Sequence, residues 1–178
     1  MTGSAQRPLL FLDVDGPIVP FGAGSQRGPG AGEDDSNPLL GRVDPKVGAR
    51  LRALGCELVW ATTWMADANE CIAPRLGLPE LEVVGWPEPS GLDEADERRG
   101  LHWKTRALVA RAAGRAFVWV DDEITGVDRG WVAAHHRGPA LLHRVDPRRG
   151  LTDADFVALA EWLRGLAGAD RLPGRGGS

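Results

Sequence analysis

The feature that most constrains this chain is a set of short, wholly apolar runs that each break off into oxygen-bearing residues. The run 8–14 (PLLFLDV) carries Asp13 and leads into Asp15 and Gly16. The run 57–61 (ELVWA) leads straight into Thr62 and Thr63, and 116–120 (AFVWV) leads into Asp121, Asp122 and Glu123. Apolar runs of this length without alternation are the mark of strands buried on both faces, as in a parallel sheet covered by helices. Helical stretches separate them. Asp44-Pro45 opens one, with Val47, Leu51 and Leu54 as its apolar stripe and Gly55 as its stop. The patterns at 66–76, closed by Gly77, and 101–113, closed by Gly114, predict two more, and Thr152 caps a last helix running to Leu166. Two shorter strands are expected at 81–84 and 140–143. This alternation predicts an open parallel α/β sheet between helices, and 178 residues suit one domain.

The intervening segments read as exposed loops. Residues 17–43 are rich in Gly, Ser, Pro and Asp, and 86–103 carry prolines and glycines before the charged DEADERR stretch. Residues 1–7 and 167–178 are expected to be flexible ends around a domain at 8–166. Lys plus Arg number 21 against 25 Asp plus Glu, and a net charge of −4 is a poor footprint for a dedicated duplex binder. No apolar run approaches the roughly 20 residues of a membrane span, so no membrane partner is expected. With no secretory signal and only Cys56 and Cys71, the expected compartment is a reducing cytoplasm.

In open parallel sheets, ligands bind beyond the carboxyl ends of the strands, where Asp13, Asp15, Thr62, Asp121 and Asp122 fall. Carboxylates gathered at one edge repel one another, and a hard divalent cation resolves the conflict. All-oxygen ligands favour Mg2+ over zinc. Period-two alternation puts Asp13 and Asp15 on one side of the strand with the Val14 carbonyl between them. Lys104 and Thr62 then offer a cation and a hydroxyl to an anion, and the assembly suits a phosphoryl group held between metal and lysine.

The four elements LLFLDVDG (9–16), LVWATT (58–63), Lys104 within HWKTRAL, and FVWVDDE (117–123) stand in an order that resembles the haloacid dehalogenase (HAD) superfamily of aspartate-nucleophile phosphohydrolases. The resemblance covers roughly 8–145 and implies a Rossmann-like three-layer fold. It further implies that Asp13 attacks phosphorus to form an aspartyl-phosphate and that Asp15 serves as general acid, then base. Asp13, the Val14 carbonyl, Asp15, Asp121 and Asp122 become the candidate Mg2+ ligands. Thr62 or Thr63 and Lys104 become the phosphate contacts, since a shift of one residue exchanges the two threonines. Members that displace halide lack the second aspartate, so Asp15 points to phosphomonoesters. Receiver domains use similar residue types, but their lysine comes last, whereas Lys104 precedes Asp121. Neither loop is long enough for a folded cap. The chain therefore resembles small, nearly capless members of actinobacterial type, whose open site suits bulky substrates or closure by a second copy in a homo-oligomer.

The expected function is Mg2+-dependent phosphomonoester hydrolysis, with a small metabolite or a nucleic-acid end as the phosphorylated substrate. The alternatives are a polynucleotide end phosphatase, on a fainter resemblance to RNA-repair domains, and a non-catalytic phosphate- or protein-binding module. Trp60 and Trp119 fall within strands and are expected in the core, and Trp103 is expected to pack against the sheet. Trp64 and Trp86 lie just past strand ends, where packing at the rim is the expected role and base stacking the alternative. His135, His136 and His143 lack metal-ligand spacing, and Cys56 and Cys71 are expected to be inert.

Overall fold

A computed structural model describes residues 6–22 and 38–169. Its centre is a five-stranded sheet, parallel throughout, of β1 (Leu9–Leu12), β2 (Glu57–Trp60), β3 (Glu82–Val83), β4 (Phe117–Asp121) and β5 (Ala140–Arg144), in the order β3-β2-β1-β4-β5. The chain builds one half of the sheet outward from β1, then crosses to the other side. That reversal puts the switch point, and hence the crevice, between β1 and β4.

Alternation along the central strands divides two apolar layers. Leu10, Leu12, Val118 and Val120 face one side, against Val47 and Leu51 of α1 (Lys46–Ala53) and Phe156 and Leu159 of α5 (Asp153–Ala169). Leu9, Phe11, Phe117 and Trp119 face the other, against Leu108 and Ala112 of α3 (Thr105–Ala112) and Val132 of α4 (Gly126–His135). Trp60 and Trp119 are fully buried, as expected. The three-layer α/β fold is that of the sequence reading, and no separate cap stands among the described residues. No described helix is long and apolar enough to cross a membrane.

Several elements differ from the sequence reading. The DEADERR stretch, expected as solvated loop, forms α2 (Gly91–Arg98), opened by a Ser90–Asp93 capping box. Asp96 is its one buried residue and pairs with Arg106 of α3, whose Nη2 lies 2.8 Å from Asp96 Oδ1. Helix α4 falls in a stretch given no element from sequence. It too begins with a capping box, between Thr125 and Asp128. The helix expected at 66–76 is instead a run of turns around a single π-turn at Ala68–Ile72, with Ala73 N bonding to Ala68 O. There the Asn69 side chain accepts from Trp60 Nε1 (2.8 Å) and Leu81 N (2.9 Å) and donates to Leu81 O, tying the segment to β2 and the approach to β3. The third helix begins at Thr105 rather than at 101. Residues 167–169, expected in a flexible tail, continue α5. Most of the 17–43 loop, from 23 to 37, lies outside the described residues, as do 1–5 and 170–178.

Candidate active site

Beyond Leu12 the chain leaves the sheet in a tight turn. Ile18 N and Val19 N both donate to the Val14 carbonyl, at 3.0 and 2.9 Å, and Gly16 N donates to Val19 O. Gly16 has φ +92°, and a Cβ there would sit 2.6 Å from the Asp122 carboxyl carbon, so this turn admits glycine alone. The Val14 carbonyl, expected among the cation ligands, thus accepts from two backbone amides within the turn.

Asp13 lies at the switch point. Its Oδ1 accepts from Val14 N (2.9 Å) and its Oδ2 lies 3.0 Å from Lys104 Nζ. The same ammonium donates to Asp121 Oδ2 at 2.8 Å, so Lys104, 3% exposed, bridges the ends of β1 and β4. Asp121 is fixed further by Trp119 Nε1 (3.2 Å) and by Glu123 N on its other oxygen (3.0 Å). Burial pushes the Asp13 carboxyl up to about 7, against the pull of Lys104 and with Asp121 adding to the rise. Burial alone would lower Lys104, but Asp13 and Asp121 outweigh it and hold the ammonium above its ordinary value. Asp122 is raised by burial and then by Asp121.

One lysine thus faces more carboxylate charge than it neutralises. Asp13, Asp121 and Asp122 each place an oxygen within 4.8 Å of the others. An all-oxygen triad with surplus negative charge fits a hard divalent cation such as Mg2+. Asp15, also expected among the ligands, lies outside this triad, and its Oδ2 accepts from Trp64 Nε1 at 3.0 Å. Asp13, Asp15, Thr63, Lys104 and Asp122 all line one cavity of about 160 Å³ at the sheet edge. Thr62 is buried behind it, with its hydroxyl oxygen accepting from Trp64 N (3.2 Å). Of the two threonines, Thr63 is the one on the cavity wall.

Residues 9–156 match the family of HAD domains in Swiss Army Knife RNA repair proteins. The chain belongs to that family. No curated protein and no solved structure matches it. The family match spans every residue of the site just described, from the turn after β1 to the start of α5.

Within this HAD domain the sequence reading missed the residues that hold Lys104 in place. Asp128 is fully buried and accepts four hydrogen bonds, each at 2.8 Å: from His102 N and Thr105 Oγ1 on one oxygen, and from Thr125 N and Oγ1 on the other. Burial would raise its carboxyl, but these donors outweigh that and hold it below its ordinary value. Asp128 therefore ties the start of α3, which carries Lys104, to the start of α4, which follows Asp121–Glu123. The T-x-x-D pattern at 125–128 was the available signal. His102 was also overlooked. Its Nδ1 accepts from Lys104 N (3.1 Å), which leaves Nε2 to donate to Glu123 at 3.2 Å. Trp64 and Trp86 are rim anchors: Trp86 Nε1 donates to the Thr62 carbonyl (3.2 Å). Trp103 departs from expectation, since it is 45% exposed and stands on the cavity wall.

Proposed function

We propose that this HAD domain is a Mg2+-dependent phosphomonoester hydrolase acting through an aspartyl-phosphate on Asp13, with phosphorylated nucleic-acid ends as its substrates. The observation that carries the reading is Lys104 Nζ held between Asp13 and Asp121 at the floor of a cavity that Asp15 and Thr63 also line. The family's occurrence in RNA repair proteins favours nucleic-acid ends over a small metabolite.

In this reading Asp13, Asp121 and Asp122 hold the cation, which when bound offsets negative charge on the phosphoryl oxygens and keeps Asp13 ionised at neutral pH. A carboxylate oxygen of Asp13 attacks phosphorus, and the P–O bond to the leaving alcohol breaks. Asp15 gives its proton to the departing oxygen. Trp64 Nε1 on one Asp15 oxygen fixes the direction from which that proton arrives. Asp15 then takes a proton from water as the water oxygen attacks phosphorus, which releases phosphate and restores Asp13. Lys104 screens the nucleophile from Asp121, and Thr63 or Thr62 donates to a phosphoryl oxygen.

The test is phosphate release from a panel of phosphorylated oligonucleotides and small monoesters, with and without Mg2+. Asp13→Asn is expected to lower the rate on the order of 10³-fold or more. Release that persists in this variant, or that is indifferent to a chelator, overturns the mechanism.

A further inference from the structure

Two of the exposed large apolar side chains, Phe21 (52% exposed) and Trp103 (45%), stand on the wall of the catalytic cavity beside Asp13, Asp15 and Lys104. The Trp103 ring and the backbone that carries Phe21 are both held in place. The Trp103 ring meets Trp86 edge-on at 4.7 Å and stacks on His102 at 5.7 Å. Phe21 N donates to Pro147 O (2.7 Å), and Leu151 N donates to Pro17 O (2.9 Å), so the turn carrying Phe21 is stapled to the 147–151 turn. Aromatic side chains left partly exposed beside a phosphate-sized cavity are what base stacking uses, and any base can use them.

The two sides of the cavity differ in charge. Trp103 and Glu123 also line a separate groove of about 800 Å³ along α2, whose walls include Asp93, Glu94 and Glu97. The turn bonded to the Phe21 backbone carries Arg148 and Arg149, and Arg144 ends β5 just before it, all three exposed. Arg144 Nε donates to the Asp122 carbonyl (2.8 Å), and Arg148 sits in the turn stapled to Phe21. Asp146 shares that turn, but its Oδ1 accepts from Arg148 N. A polyanion is attracted to the second side and repelled from the first.

We infer that a single-stranded nucleic acid reaches the site across Phe21 and the Arg144, Arg148 and Arg149 side. Its terminal base stacks on Phe21 and Trp103, and the acidic wall of α2 turns the strand away from the larger groove. The inference rests on the phosphatase reading for the terminal phosphate in the cavity, and it adds the course of the chain behind that phosphate.

The test is fluorescence anisotropy of a labelled six-nucleotide strand carrying a 3′- or 5′-phosphate, with Asp13→Asn as the parent so that binding is read without turnover. Trp103→Ala and Phe21→Ala are each expected to weaken binding about tenfold, and Trp103→Phe to recover most of that loss. Reversing Arg148 and Arg149 together to Glu lowers the salt slope by about 1.4, the value for two phosphate contacts on a single strand. Glu94→Gln with Glu97→Gln leaves affinity unchanged or improved. Equal affinity in the parent and both aromatic variants overturns the inference, as does weaker binding in the Gln pair but not in the reversed Arg pair. The two readings fail separately. If the parent binds no phosphorylated strand, the strand course falls whatever the release assay gives. If the unaltered protein releases phosphate from nothing while Trp103→Ala still weakens binding about tenfold, hydrolysis falls and the strand course stands.

Discussion

At the scale of single residues, the site depends on a few carboxylates whose environments pull in opposite directions. Asp13 is raised to about 7. Between its ordinary value of 3.8 and about 7, the folded protein holds a proton there that the unfolded chain has released. This group therefore makes stability fall as pH rises through that window. A cation competing for the same oxygens displaces that proton. The rise in Tm on adding Mg2+ is thus expected to be larger at about pH 8 than at about pH 6, and an equal shift at both would place the cation elsewhere. Asp128 runs the other way: held below its ordinary value, it contributes stability above about pH 4 that is lost as pH falls. Asp128→Ala strands four donors and is expected to cost about 3 kcal/mol, read by denaturant unfolding. The convergence of Asp13, Asp121, Asp122 and Lys104 was legible because the carboxylates end apolar runs and Lys104 stands just before a helix start. The engagement of the Val14 carbonyl within its turn, and which of Thr62 and Thr63 lines the cavity, were not, because a turn's hydrogen bonds depend on chain geometry after the strand ends.

At the scale of elements, legibility tracked how much of each element is buried. The central strands are wholly apolar and were found at once. Helices α2 and α4 bury little, Asp96 in one and Asp128 and Val132 in the other, so neither shows an apolar stripe and only their capping boxes announce them. The 66–76 segment failed for the opposite reason. Ala68, Ile72, Ala73 and Leu76 are all buried at helix-like spacing, yet Asn69 bonds to neighbouring strands and the backbone widens into a π-turn. The next turn of this segment lies directly on α1, where a Cβ on Gly48 would fall 1.7 Å from the Leu76 carbonyl oxygen. Gly48→Ala must push the helix off that turn. A loss of about 3 kcal/mol is expected, against a gain if the helix end were free to adjust, and thermal unfolding distinguishes the two.

At the scale of the molecule, both apolar layers share the same five strands. Trp60 reports from one layer and Trp119 from the other. A sheet common to both layers predicts one cooperative transition, with far-UV circular dichroism and tryptophan fluorescence changing together; two separated transitions would show that the layers come apart independently. The staple between the 16–22 turn and the 147–151 turn carries a consequence for the order in which the protein is made. Within this domain Asp13 is synthesised well before the turn that secures its loop. A nascent chain carrying Asp13, Thr63, Lys104 and Asp121 still lacks the clamp on the Phe21 backbone, so that wall of the cavity is completed only when β5 and the turn after it have been synthesised.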